Sequence, residues 1–368
     1  MKTYDLIIIG AGPAGITTAY QAVANGYTVL ILEKGKDLFK RRNIISGWFG
    51  KGLFSSQKCL IKNTLNIQDT AQFFNILKNL YKPIKIVSKE DGIICSLSSS
   101  FGINLAKTYY DLLHKKIDVV FNVDIIDIDI NNNFIIKTSK SKYLGKKCMI
   151  ATGASSVEWI NSICSALNLS AEEHSFKIGA RIEVPTFKIK GIVDNYENII
   201  IKDEYVATED MFVNSLVGEW EDSSILSACG YCVPKTSSIR TNFMLAINSA
   251  KDLNETIKDI KIINILSNDR IKCERVSDYM EGKSVLTHIE SFKFLREAFE
   301  KVEQNFPLIS YATMYVPEIK IKGIFPVNKQ MKTEIKFLYG AGECTMRADN
   351  VLEAMISGVT AFNTILKE

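Results

Sequence analysis

Histidine is scarce in this chain. His114, His174 and His288 are the only three in 368 residues, and nothing around them makes a Ser-His-Asp triad or a metal-ligand set. His114 is expected at a helix end in a structural role. His174 and His288 are proton donors by type, with a surface or core-edge place as the simpler reading. Long apolar runs are also missing: none reaches the roughly 20 residues that cross a bilayer as a helix. The net charge is only +4, and no basic cluster is interleaved with aromatics, which excludes a nucleic-acid footprint. No charged-then-apolar leader precedes the first β-type run, so no export is expected. The eight cysteines are scattered, and for a leaderless chain they are expected to be reduced thiols in a cytoplasm. One CxxC occurs, Cys229-Gly230-Tyr231-Cys232, with no second to make a four-cysteine zinc site. No metal is expected, and no internal repeat or low-complexity segment stands out.

What remains is an ordinary globular composition, 46% apolar and 23% charged, in a chain long enough for two domains with their own cores. The strongest local pattern lies in the first 33 residues. An apolar run over 4–9 enters Gly10-Ala11-Gly12-Pro13-Ala14-Gly15, a helical stretch runs to Asn25-Gly26, and a second apolar run over 28–32 ends at Glu33. This is a complete βαβ dinucleotide unit. Gly10 permits the tight turn, Gly12 lets the backbone approach a pyrophosphate, and Gly15 lets the helix pack close to the sheet. The helix N-terminus offers free N–H groups and a positive dipole end to the phosphates. Glu33 follows Gly10 by 23 positions, where a carboxylate can accept both ribose hydroxyls of an adenosine. An ADP moiety is therefore expected here.

Later segments choose among dinucleotides. Glu33-Lys34-Gly35 has the form usual in flavoproteins. Cys148-Met149-Ile150 is a short apolar strand running into Ala151-Thr152-Gly153, and the apolar run over 336–341 ends at Gly342-Glu343. Both elements recur in two-dinucleotide-fold flavoproteins. The second resembles the element that holds the ribityl chain and pyrophosphate. A helix with an apolar period follows from Asn350 and Val351, and its N-terminus is expected to face the flavin O2 edge, where charge accumulates on reduction. The expectation is non-covalent FAD, with Ile125 among its contacts and Arg41 or Arg42 adding a cation near the phosphates or adenine.

The expected fold class is α/β: a Rossmann-like FAD-binding βαβ domain with an inserted mixed-sheet substrate domain. Helices are predicted over 69–81 and 103–115, and strands over 119–121, 123–130 and 134–138. From about residue 156 short β-type segments dominate, over 177–184, 198–201 and 318–321, with helices over 256–267 and 290–304. The FAD domain is thus expected to be discontinuous, 1–160 plus 333–368, with the substrate domain at 161–332. No second GxGxxG lies in the interval, which argues against a dedicated NAD(P) domain and leaves a transient NAD(P)H donor compatible.

Several stretches resemble one family, the FAD-dependent dehydrogenases related to geranylgeranyl reductases and glutathione-reductase-like flavoproteins. The segment Ser46-Gly47-Trp48-Phe49-Gly50-Lys51-Gly52-Leu53-Phe54-Ser55-Ser56-Gln57-Lys58 is similar to its glycine-rich segment, with Ser56 and Gln57 standing where the family carries Asp and Gly. Gly179-Ala180-Arg181-Ile182-Glu183 resembles its Gly-x-Arg-x-Glu strand. Arg240-Thr241-Asn242-Phe243-Met244 and Pro317-Glu318-Ile319-Lys320 resemble two further elements, and the ending from Gly342-Glu343 through Arg347-Ala348 fits its last FAD motif. The resemblance implies FAD and an oxidoreductase, with hydride transfer between flavin and a small or lipid-like organic substrate, oxidising or reducing a C–C or C–N bond. Flavin monooxygenase or oxidase chemistry, and a non-catalytic FAD-binding redox sensor, are the alternatives. Acid-base and positioning candidates in these segments are Lys58, Arg240, Glu318 and Lys320, with Arg181 and Arg347 beside them. The aromatic side chains of Trp48, Phe49 and Phe54 would either line a pocket or pack as core. Cys229 and Cys232 are expected on a strand over 224–233, which sends residues three apart to opposite faces and makes them independent thiols. A redox partner or a homodimer is compatible with this reading.

Overall fold

The computed structural model describes every residue except 1, 42, 82–84, 90–91, 154–155, 171–175, 190–197, 202–203, 223–224, 234–237, 249–252, 306 and 322–324. The chain divides into two compact units. The first holds Met1–Ser55, Cys59–His174 and Lys322–Glu368, and the second Ser56–Lys58 and Ser175–Ile321. The boundary expected after residue 160 falls inside a helix, Val157–Ala166, and the changeover comes near 174 and 321 instead.

The first unit is built on a parallel sheet. Its strands lie in the order Asp118–Phe121, Val29–Glu33, Thr3–Ile9, Lys142–Ile150. The short strand Leu338–Gly340 adds in parallel to the far edge of Lys142–Ile150, Tyr339 opposite Met149. Leu6, Ile7 and Ile8 are fully buried, so both faces of the strand are covered. This is why the first strand reads as a continuous apolar run rather than an alternation. The strands Ile125–Asn131 and Asn133–Thr138 form an antiparallel meander with Lys142–Ile150. The expected strand over 336–341 is cut to Leu338–Gly340, and Phe337 before it is left-handed at φ 64°.

Pro13–Ala24 is the first crossover helix, and the last helix, Val351–Lys367, packs directly on it. Thr18 Oγ1 donates to the Gly358 carbonyl at 2.9 Å. The last helix is buried almost all round, from Val351 to Phe362, which explains its lack of a polar face. The loops 10–12, 33–35, 151–153 and 341–343 all leave the carboxyl ends of parallel strands, the edge at which open α/β sheets bind ligands.

The second unit carries a six-stranded sheet in the order Asn198–Ile201, Glu204–Phe212, Arg240–Asn248, Phe176–Pro185, Thr313–Ile321, Lys272–Arg275. Short β-type segments reveal strands but not their direction, and every ladder here is antiparallel rather than mixed. Ile178, Ala180, Ile182 and Val184 point to one face. They form a core with Phe243, Leu245 and Met314 and with Ile260, Ile263, Leu295 and Phe299 of the helices Leu253–Leu266 and Phe294–Asn305.

The opposite face is polar, and a bulge arranges it. Gly179 is opposite Glu318 and Arg181 opposite Tyr315, so Val316 and Pro317 together face Ala180. The extra residue re-phases the strand and brings Glu318 onto the face of Arg181. Arg181 is fully buried and ion-pairs with Glu318, which is 3% exposed. Arg181 also donates to Asn242 Oδ1 at 3.3 Å and lies over the Phe212 ring. The hairpin Leu216–Asp222 and Ile225–Tyr231 packs near this pair, with Ser227 Oγ accepting from the Ile319 N–H at 3.1 Å.

A buried pair costs desolvation energy that only its own geometry offsets, so losing one partner is far worse than losing both. Arg181→Met or Glu318→Leu alone should lower stability to denaturant by about 3–5 kcal/mol, and the double variant should recover most of that loss. Additive losses in a urea titration would show that the two side chains are not coupled.

Candidate nucleotide-binding site

The turn after Thr3–Ile9 is tightly closed. Gly10 has φ 107°, and a Cβ there would lie 2.5 Å from the Ala151 carbonyl oxygen. A Cβ on Gly15 would lie 2.2 Å from the Gly10 carbonyl oxygen. Only glycine allows strand, helix and the 151–153 loop to close up this far. Gly12 is extended and stands at the helix N-cap with no side chain to cap it, Pro13 fills the first helical position, and the first turn has no acid. The first backbone bond of the helix is Ile16 N–H to the Gly12 carbonyl, 3.0 Å. Helix geometry leaves the Ala14 and Gly15 amides without intrahelical acceptors. They form an uncharged, dipole-positive cradle that fits a pyrophosphate.

Glu33 ends the second strand, 6% exposed, with its carboxylate held by backbone amides. Oε2 accepts from Ala11 N–H at 2.7 Å. Oε1 accepts from Gly35 N–H at 2.7 Å and Gly47 N–H at 2.9 Å. A carboxylate offers about four lone-pair positions. Three are occupied, and the open one lies on Oε2. Where the sequence reading expected two ribose hydroxyls on Glu33, one acceptor position stands open, because the chain's own amides fill the rest.

Other expected contacts are redistributed. Lys34 is exposed, and Arg42 lies outside the described residues. Arg41 spends its N–H groups on its own loop. Its Nε donates to Asn43 O, its Nη1 to Trp48 O and Gly50 O, and its Nη2 to Asn43 O and Ile44 O. The Ile125 carbonyl is taken by Trp159 Nε1 at 3.0 Å. Beside Glu33 stands Val123, 1% exposed, whose N–H donates to the Glu33 carbonyl at 3.2 Å. Its signal was the left-handed turn at Asn122, φ 51°, of a residue type that tolerates that conformation. Trp48 and Phe49 are fully buried core, with Trp48 Nε1 donating to Ala106 O at 3.0 Å.

Ala151-Thr152-Gly153 and Gly342-Glu343 complete the cradle. Ala151 N–H donates to Ile9 O at 2.8 Å and Ala341 N–H to Ile150 O at 2.9 Å, binding these loops to the strand ends. Thr152 Oγ1 is buried and meets the Cys344 thiol. A Cβ on Gly153 would lie 3.8 Å from Glu343 Oε2, so that carboxylate stands beside the loop. Gly342, at φ 86°, donates its N–H to Ser357 Oγ at 2.8 Å. Cys344 is buried among these groups, and burial pushes its thiol up to about 12.

The N-terminus of the last helix is closed. Asn350 Oδ1 accepts from Leu352 N–H and Glu353 N–H, both at 3.1 Å, and Asn350 Nδ2 donates to Leu60 O at 2.8 Å. Glu353, buried in the first turn, accepts from Lys62 N–H and Asp349 N–H, and burial raises its carboxyl above the ordinary glutamate range. The side-chain cap consumes the Leu352 and Glu353 amides of the end that the sequence reading expected to face a flavin O2 edge.

The candidate catalytic residues fall in the second unit or on its edge. Lys58 opens the strand Lys58–Lys62, and its side chain lies outside the described ones. Glu318 is a buried structural partner of Arg181. Arg240 Nε pairs with Glu183 Oε2 at 3.1 Å, and the same carboxylate accepts from Tyr315 OH at 3.0 Å. Tyr315 is thus a polar-face residue that the sequence pattern did not single out. Lys320 is half-buried, opposite Lys177. His114 caps the helix Phe101–Leu113, His288 is exposed, and His174 lies outside the described residues. Cys229 and Cys232 are both buried. Cys232 lies just past the strand Ile225–Tyr231, with its pKa pushed up to about 11 by burial and Gln57 Nε2 at 3.5 Å. Among the described residues no His, Cys, Asp and Glu cluster can hold a metal, and no helix is long and apolar enough to cross a membrane.

Gly10→Ala would drive a methyl group into backbone that cannot yield. Titration with FAD should show at least tenfold weaker uptake, and the melting temperature should fall with a stability loss of about 1–3 kcal/mol. Unchanged uptake would mean that the turn does not shape the site.

Residues 4–178, which contain the turn, Glu33 and the 151–153 loop, match the family described as pyridine nucleotide-disulphide oxidoreductase. The thiamine thiazole synthase of Sulfolobus acidocaldarius is 30% identical over 122 residues, 33% of this chain and 40% of that one. The chain thus aligns with under half the length of this curated relative. A solved glycine oxidase from Geobacillus kaustophilus has a TM-score of 0.45 at 10% identity, covering 100% of this chain and 96% of its own. A p-nitrophenol 4-monooxygenase from Pseudomonas putida has a TM-score of 0.49 at 11% identity, covering 98% and 78%. Residues 4–178, just under half of the chain, are thus similar to the pyridine nucleotide-disulphide oxidoreductase family.

Proposed function

We propose that the protein is an FAD-dependent dehydrogenase or reductase that moves a hydride between non-covalent FAD and a small or lipid-like organic substrate. The observation that carries this reading is the cradle of the first unit. Ala14 and Gly15 present uncapped amides to a pyrophosphate, and Glu33 presents one acceptor position to a ribose. The loop Ala151-Thr152-Gly153, where the Thr152 hydroxyl meets the Cys344 thiol and Gly153 lies beside Glu343, adds a further polar edge to the cradle. When bound, FAD supplies the redox chemistry, and the chain's part is to bind it, orient it and keep water from its reactive edge.

Two features support electron exchange with a small molecule over a thiol relay. Cys229 and Cys232 are buried, and Cys232 is held as a thiol by burial, whereas a relay needs a reactive thiolate. The second unit has an independent core and a polar sheet face carrying Arg240, Glu183 and Tyr315. These are groups suited to orienting a polar part of a substrate.

Purified protein should be yellow, or take up added FAD stoichiometrically, and release it on heating or acidification. Under anaerobic conditions NADH, NADPH or a substrate should bleach the flavin band. Slow reoxidation in air without product hydroxylation fits a dehydrogenase, and rapid oxygen uptake with hydroxylation would replace it by a monooxygenase. Protein that stays colourless in excess FAD would remove the whole reading.

A further inference from the structure

We infer that Arg41 is a positioning residue of the nucleotide site. It never touches the nucleotide, but locks the 43–50 loop so that Glu33 keeps a single open acceptor and selects one hydroxyl of the adenosine ribose. The inference rests on the FAD reading above and extends it to ribose selectivity.

A guanidinium has five N–H donors. All five of Arg41 are used on backbone carbonyls of one short loop: Asn43 O twice at 3.1 Å, Ile44 O and Gly50 O at 2.8 Å, and Trp48 O at 2.7 Å. None is left for a phosphate. Two amides inside this loop reach the nucleotide turn. Gly47 N–H donates to Glu33 Oε1 at 2.9 Å, and Phe49 N–H donates to Ala11 O at 2.7 Å. Ala11 in turn gives its own N–H to Glu33 Oε2 at 2.7 Å. Arg41 therefore acts on both carboxylate oxygens through backbone.

Lysine cannot replace this arrangement. It carries three donors on a point charge and lacks the planar fork that engages carbonyls on two sides. The Arg41 guanidinium also lies over the Phe54 ring, 5.4 Å from its centroid. Burial pulls its pKa down to about 10 while the charge of Glu33 opposes the shift, so the cation persists at neutral pH near the carboxylate it organises. If the loop loosens, Gly47 leaves Oε1 and a second acceptor position opens. Glu33 can then take either ribose hydroxyl, and selectivity is lost.

The test titrates full-length protein, freed of flavin, with ADP, 2′-deoxy-ADP and 3′-deoxy-ADP by calorimetry. For the native chain one deoxy nucleotide should bind roughly tenfold more weakly than ADP and the other less than threefold more weakly, the size expected for one hydrogen bond to a charged group. Arg41→Lys should bring the two deoxy nucleotides to within about twofold of each other. Its effect and that of Glu33→Gln should be non-additive. Asn43→Ala is the milder variant if Arg41→Lys does not fold. It removes the exposed side chain that accepts from Ile45 and Ser46 N–H in the same loop, and should move selectivity in the same direction by less. Equal weakening of all three nucleotides with the native ratio retained would overturn the inference and leave FAD binding standing. Absence of ADP and FAD binding by the native chain would overturn both.

Discussion

A buried carboxylate organises the first unit. Glu33 collects the amides of Ala11, Gly35 and Gly47, one from the glycine turn, one from the residues just past its own strand, and one from a loop that returns after Arg41. Charge-assisted bonds of this kind are short and about twice as strong as neutral ones. Removing the carboxylate would leave three amides and a buried turn without their acceptor. The nucleotide turn, the 43–50 loop and the start of the crossover helix are all oriented from that point.

The two units handle buried charge differently. In the first, Glu33 is met by backbone amides and, at longer range, by the Arg41 guanidinium, which leaves an acceptor position open to a ligand. In the second, Arg181 and Glu318 face each other directly, with Asn242 accepting a further bond. The same chemical pairing of arginine and glutamate thus organises a candidate site in one unit and ties two neighbouring strands of one sheet in the other. Whether a lone pair remains accessible, not the presence of charge, separates the two outcomes.

The last helix adds a third arrangement. It looks from its sequence like a dipole end aimed at an anion, but Asn350 closes it and Glu353 adds a buried carboxyl with a raised pKa. The helix instead serves as the wall against which Pro13–Ala24 packs, through Thr18 and Gly358. Helix N-termini can hold anions when their amides lack intrahelical acceptors, as those of Ala14 and Gly15 do, and lose that capacity when a side chain satisfies them first.

Much of the nucleotide site was legible because its parts are local. Gly10, Gly12, Gly15 and Glu33 lie within one βαβ unit, where strand and helix lengths fix which residues share the strand ends. The buried strands announced themselves as continuous apolar runs for the same reason. What the sequence could not carry was anything that depends on a distant segment arriving. Gly47 reaches Glu33 only because the Arg41 loop folds back, and Val123 lies beside it because of one left-handed turn at Asn122. Glu318 reads as a half-exposed strand residue until the bulge at Val316 and Pro317 shifts its phase and buries it against Arg181. Sequence by itself determined the local geometry, which is set by backbone sterics and apolar periodicity. Tertiary structure decided the hydrogen-bond partners, because a donor or acceptor goes to whichever group the folded chain brings within about 3 Å.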